Sequence, residues 1–172
     1  AYLAIGTINR KFYEKNKINK NKIILVPYVV DNNYFFYKKK KFKTTRNKKI
    51  IFLYAGKFTF SKGADLLLRS VAKLNENIDF RSNTKFILIG DGKIKSESID
   101  YAKKNNLKNV SFLPFQSYKN LLKYYHNSDV FILPSRFETW GLSINEAMAG
   151  GNAIISSEEC GASYDLVKNN KN

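Results

Sequence analysis

The stretch Ile50–Leu74, IIFLYAGKFTFSKGADLLLRSVAKL, decides the fold. Six apolar residues, Ile50–Ala55, show no alternation with polar ones, which is how a strand covered on both faces reads. Gly56-Lys57 breaks the run, and Leu66, Leu67, Val71 and Leu74 then recur at helical spacing, so a helix is predicted over Lys62–Leu74. Working outward, the same alternation repeats. Strands are predicted at Lys85–Ile89, Val110–Leu113, Asp129–Leu133 and Ala153–Ser156, and helices at Ser96–Lys104, Tyr118–Asn127 and Leu142–Ala149. Short buried strands joined by helical crossovers predict a doubly wound parallel α/β sheet, with right-handed connections.

Upstream the pattern changes. Tyr2–Ile5 and Ile23–Pro27 read as buried-type strands flanking a helix at Thr7–Lys15. Such strands need a sheet to join, so residues 1–36 are expected to be the tail of a preceding domain and its crossover. Residues 37–49 read as a lysine-rich linker, and 50–172 as the main domain. The polar run from Asp165 to Asn172 offers no cap or closing element, so that domain is expected to be incomplete at its C-terminal side.

Composition narrows the function. The 172 residues carry 44% apolar side chains, enough for a packed core. One cysteine, Cys160, excludes a disulfide scaffold and a thiolate zinc site, and one histidine, His126, excludes a His-rich metal site. No apolar run approaches the roughly 20 residues of a membrane span, and no charged-then-apolar leader opens the sequence, so a soluble cytoplasmic domain is expected. The net charge of +16 suggests polyanion binding at first sight. Yet lysine outnumbers arginine 25 to 5 among many Asn and Ile, the bias of an AT-rich gene, whereas phosphate recognition favours the arginine fork. Residues 1–50 hold 14 basic and 2 acidic side chains, net +12, largely in the run Lys38–Lys49, while the remaining 122 residues net only +4. No nucleic-acid partner is expected. The run reads as a solvated loop, with peripheral contact to an anionic membrane face as the functional alternative.

In an open parallel sheet the ligand crevice lies beyond the carboxyl ends of the strands. After the first strand comes Gly56-Lys57-x4-Lys62-Gly63, two ammonium groups beside a helix N-terminus, which suits a phosphate or diphosphate. It is not a P-loop, because the lysine precedes the second glycine and no Ser/Thr follows. Gly90-Asp91-Gly92 has Lys95 where a third glycine would complete a dinucleotide fingerprint, and no acid stands about twenty residues on, so NAD is not expected. Tight strand-to-helix turns account for these glycines equally well. Downstream, Glu138 precedes a helix starting near Gly141, and Glu146 lies inside it, about 7.5 Å along the axis from Gly141 at 1.5 Å per residue. One carboxylate ahead of the helix tip and one beside its second turn suit a sugar, a diphosphate and a ribose, since carboxylates accept charge-assisted bonds from hydroxyls. A solvated helix face gives the same spacing.

Taken together, Glu138-x7-Glu146 with Trp140-Gly141-Leu142 and Glu146-Ala147-Met148-Ala149 resembles the signature of the family-4 retaining glycosyltransferases, the glycosyl transferases group 1. Gly56-Lys57-x4-Lys62-Gly63 is similar to that family's Gly-Arg-x4-Lys-Gly phosphate clamp. Ile89–Gly92, Val110–Leu113 and Asp129–Ser135 stand in the family's order, and Val26–Asp31 resembles its interdomain stretch. The resemblance implies a GT-B fold, of which this chain would be the Rossmann-like C-terminal, donor-binding half, with an N-terminal acceptor domain as partner. It implies a nucleotide diphosphate sugar, UDP- or GDP-linked, as donor, a glycan or lipid-linked acceptor in surface polysaccharide or glycoconjugate synthesis, and no metal cofactor.

By the same resemblance, Glu138 binds donor-sugar hydroxyls and Glu146 the ribose. Lys57 and Lys62 hold the diphosphate beside Gly56 and Gly90, and the Gly141–Leu142 backbone lines sugar and phosphate. The base lies near Phe115 and Gln116. Trp140 borders the site, chiefly as a packing anchor. Glu138, Lys57 and Lys62 are the expected catalytic groups, the lysines stabilising the departing diphosphate in the absence of an Asp-x-Asp motif. With the acceptor side missing, the chain is expected to bind donor without turnover. Lys57 stands for the commoner Arg, keeping charge and losing the fork. Pro114 and Gly150-Gly151-Asn152 also depart from the usual pattern. A sugar-nucleotide epimerase-like GT-B relative is the competing reading, and a basic polyanion-binding module a more distant one. His126 and Cys160 are expected to pack rather than react.

Overall fold

The computed structural model describes residues 1–36, 49–169 and 171. Strands β1 (Tyr2–Ala4) and β2 (Ile23–Leu25) flank helix α1 (Thr7–Lys15), and α2 (Asn32–Phe35) follows. Then come β3 (Ile50–Ala55), α3 (Ala64–Leu74), α4 (Ile78–Asn83), β4 (Thr84–Ile89), α5 (Lys95–Lys104) and β5 (Val110–Leu113). The chain continues through α6 (Tyr118–Asn127), β6 (Val130–Leu133), α7 (Leu142–Ala149), β7 (Ala153–Ser156) and α8 (Gly161–Leu166).

The five strands β3–β7 form one parallel sheet in the order β5-β4-β3-β6-β7. Successive side chains point to opposite faces, and each face has its own core. Leu53, Ile89, Phe131, Leu133 and Ile154 pack with α6 and α7 on one side. Tyr54, Phe86, Leu88 and Ile132 pack with α3 and α5 on the other. Strand order reverses between β3 and β6, and that switch point places the ligand crevice beyond the carboxyl ends of these strands.

The doubly wound sheet is as the sequence predicts, with three differences. Helix α3 begins at Ala64 rather than Lys62, because Phe60–Lys62 form a 3-10 turn and Gly63 adopts φ 72°. A Cβ there would collide with the Pro134 carbonyl, so glycine fixes the turn against the loop after β6. The short helices α2, α4 and α8 carry no apolar stripe long enough to read; Asp31 caps α2 and Asn77 caps α4 with side-chain oxygens. Finally, β1 and β2 pair in parallel with each other and form a two-stranded sheet of their own. Leu3, Ile24 and Leu25 are 57%, 51% and 53% exposed, not buried as their composition suggests. The lysine run and the proposed linker lie, apart from Lys49, outside the described residues. Among the described residues no helix is long and apolar enough to cross a membrane.

Candidate functional site

At the switch point, a cavity of about 610 Å³ opens between the loops after β3, β4 and β5 and the inner faces of α6 and α7. Gly56, Lys57, Gly90, Phe115, Gln116 and Glu146 line it together with Asp91, Leu121, Tyr125 and Ser143. That volume falls within the range of small-molecule sites. A hollow of about 280 Å³ between Lys49, Arg81 and Lys108 lies at the amino ends of the strands, is less than half the size and has no carboxylate.

The wall that carries Gly56 and Lys57 is held by backbone bonds. Gly56 N–H donates to Ile89 O at 3.0 Å, and Phe58 N–H to Asp91 O at 2.9 Å. The Tyr54 hydroxyl donates to Lys57 O at 2.9 Å. Burial, and then the charges of Asp65 and Glu138, push that phenol well above its ordinary range, so it remains a donor. Gly90, at φ 141°, passes so close to Gly56 that a Cβ would strike the Gly56 carbonyl. The Lys57 side chain is exposed and forms no ion pair among the described residues.

The wall that carries Phe115 and Gln116 depends on a residue that spacing alone does not mark. Lys95 donates to Asp91 Oδ1 and Gly90 O at 2.7 Å, and to Leu113 O at 3.1 Å, tying together the ends of β4 and β5. Asp91 Oδ2 in turn accepts the Phe115 N–H at 2.8 Å. Hydrogen bonds from Lys95 and Phe115 hold the Asp91 carboxyl below its ordinary range. The Phe115 N–H is thus committed to Asp91, while its carbonyl and a side chain on a residue 74% exposed remain at the cavity. The Gln116 side chain turns to Pro114 O, 3.1 Å away.

Glu138 and Glu146 occupy different surroundings. Glu138 is fixed by backbone bonds to the segment after β7, donating to Glu159 O and accepting from Gly161 N–H. Its Oε2 accepts from Lys62 Nζ, so the expected sugar ligand and one expected diphosphate ligand meet as a pair outside the lining of the large cavity. Glu138 lies against Gly141, the N-cap of α7, whose missing side chain leaves room for its Cγ. Leu142 is the first residue of α7 and is 41% exposed. Glu146, one turn further, faces the cavity, and its Oε2 accepts from the Tyr125 hydroxyl at 2.7 Å. Burial raises the Glu146 carboxyl above its ordinary range, opposed by the Tyr125 bond.

Trp140 sits as the packing anchor that the sequence suggests, outside the lining of the large cavity. Its side chain is 4% exposed, turned away from the cavity, with its indole N–H on Asn145 Oδ1 at 3.0 Å and its ring edge-on to Tyr28. Cys160 is fully buried, donates to Trp140 O, and has its thiol pushed up by burial, which makes it inert. The His126 ring contacts Phe35 O at 3.1 Å. Both pack, as expected. Among the described residues no group of three potential metal ligands occurs.

The family model described as glycosyl transferases group 1 matches residues 36–172. The chain belongs to that family. An uncharacterised glycosyltransferase of Methanocaldococcus jannaschii is 30% identical over 123 residues, 71% of this chain and 30% of its own length. The 2-deoxystreptamine N-acetyl-D-glucosaminyltransferase of Niallia circulans is 34% identical over 69% of this chain and 30% of its own. Among solved structures, the lipopolysaccharide outer core galactosyltransferase WaaB superposes with TM-score 0.79 at 23% identity, over 97% of this chain and 46% of WaaB. Anabaena HepE in complex with UDP-glucose superposes with TM-score 0.76 at 16% identity, over 96% of this chain and 46% of HepE. These establish the GT-B architecture, of which the chain matches just under half. It also spans less than half the length of these curated relatives.

Proposed function

We propose that this chain is the donor-binding half of a family-4 retaining glycosyltransferase, which holds a UDP- or GDP-sugar for transfer to a glycan or lipid-linked acceptor. The observation that carries the reading is Glu146, which faces a 610 Å³ cavity at the switch point with Lys57 on the opposing loop. A half-buried carboxylate accepts hydrogen bonds from the vicinal ribose hydroxyls. Lys57 and the N-terminal turn of α7, including Ser143, supply positive charge and N–H groups for the diphosphate. Glu138, paired with Lys62 at the helix tip, meets the sugar hydroxyls, and Lys62 is then released toward the phosphate.

When the anomeric carbon–oxygen bond breaks, its electrons pass to the diphosphate and positive charge grows on the sugar ring. Fixed ammonium groups and a helix N-terminus aimed at the leaving oxygen stabilise that separation. Retention needs the acceptor hydroxyl on the face the diphosphate vacates, and an acceptor-binding domain must supply it; the chain alone binds donor without turning it over. The transferase names of the relatives support this reading over an epimerase.

The test is calorimetric titration of the 172-residue chain with UDP, GDP and their sugars. Glu146→Ala is expected to lower nucleotide affinity by about tenfold or more, as for loss of charge-assisted bonds. Glu138→Ala is expected to spare UDP or GDP and to lose the added affinity of the sugar. Equal affinities across wild type and both variants would overturn the assignment.

A further inference from the structure

We propose that the buried phenol of Tyr125 is a positioning residue for Glu146, holding the carboxylate in the orientation that receives the ribose hydroxyls; this rests on the ribose role of Glu146 given above. Tyr125 lies on α6, a different element from the glutamate it touches, and it is wholly buried. Its ring is wedged edge-on to Phe35 of α2, at 5.9 Å between centroids, and against Phe131 of β6, at 5.8 Å. The absence of a side chain at Gly150 leaves room beside its Cβ. A ring held between these two aromatic neighbours aims its hydroxyl at Glu146 Oε2, 2.7 Å away.

A glutamate on a helix face otherwise samples several rotamers, and ordering it for a ligand costs free energy. Here that cost is met in folding. The bond engages Oε2, while Oε1 has no hydrogen-bond partner among the described residues. One oxygen is thus anchored and the other is presented at the cavity wall. The phenol's one hydrogen bond thus falls on the side chain proposed to take the ribose.

Tyr125→Phe keeps the ring and its packing and deletes only the donor. Wild type, Tyr125→Phe, Glu146→Ala and the double variant are titrated with UDP and GDP and with their 2′,3′-dideoxy counterparts. Tyr125→Phe is expected to weaken the ribonucleotide about tenfold, to leave the dideoxynucleotide unchanged, and to add nothing in the Glu146→Ala background. Thermal unfolding of each variant checks the fold. If Tyr125→Phe binds the ribonucleotide like wild type, or loses both nucleotides equally, while Glu146→Ala still loses only the ribonucleotide, the positioning role is wrong and the ribose role stands. If Glu146→Ala binds both like wild type, both fall.

Discussion

Glu146 stands in a place that penalises ionisation. Burial raises its carboxyl and the Tyr125 hydrogen bond only partly offsets this. A folded-state pKa above the unfolded value means that the folded chain binds the proton more tightly. Stability is then greatest below the ordinary glutamate range and falls as pH rises through the higher folded value. The penalty is complete above that point. Glu146→Gln mimics the neutral acid and keeps an oxygen for Tyr125. It is expected to melt about 2–4 °C above wild type at pH 8, with the difference vanishing near pH 4. Thermal scans of both proteins across that range check the sign; a gain that grows toward acid would contradict it. The same replacement removes the charge proposed to hold ribose, so the stabilised variant should bind nucleotide less well. On the proposed role, that pattern is the stability–function trade-off common at functional sites.

At the scale of elements, the loop after β6 presents Glu138 beside Lys62, and besides the backbone bonds to the segment after β7 it is tied to α3 by one arginine. Arg136 forms a fork on Asp65 of α3, Nη1 to Oδ1 at 2.8 Å and Nη2 to Oδ2 at 2.7 Å. It also donates to Phe60 O, and its guanidinium lies 3.8 Å over the Phe60 ring. The Asp65 carboxyl is held below its usual range, first by the hydrogen bond from Arg136. The contribution is present above the ordinary aspartate value and is lost as pH falls through the depressed folded one. Asp65→Asn should cost about 1–2 kcal/mol at pH 7 and nothing near pH 2, as read by denaturant unfolding at the two pH values. The bounds of β3, β5, β7, α6 and α7 were legible in the sequence because short apolar runs and helical spacing mark them. What was not legible depends on partners distant in the chain. Tyr125 reads as one more aromatic on an amphipathic helix, and Lys95 as a failed fingerprint glycine. Only the tertiary fold shows that one donates to Glu146 and the other staples two strand ends. The paired carboxylates were found by spacing, yet spacing could not show that Glu138 is already occupied by Lys62.

One seam of the molecule lies where the first fifteen residues meet the segment around α8, apart from the packing of α2 on α6 and α7. Thr7 N–H donates to Asp165 Oδ2 at 2.8 Å, and Lys11 donates to the Tyr164 hydroxyl at 2.8 Å. Between them, Gly6 lies flat against Trp140, close enough that a Cβ would collide with both the indole ring and the Asp165 carboxylate. The backbone of Gly6 is extended, so any residue could take its conformation and only space forbids one. Trp140 immediately precedes Gly141, the N-cap of α7, and the helix carries Glu146; the seam thus backs directly onto the site. Gly6→Ala is expected to force the seam apart and cost about 1–3 kcal/mol, the usual range for overpacking. Because Trp140 is the only tryptophan, its emission reports on the seam alone. The variant should show red-shifted fluorescence and greater acrylamide quenching in the native state, together with weaker nucleotide binding as the tip of α7 loosens. Unchanged emission with normal stability would mean that the first residues merely rest on the donor-binding unit. A red shift without loss of binding would mean that α7 is held by the sheet rather than by the seam.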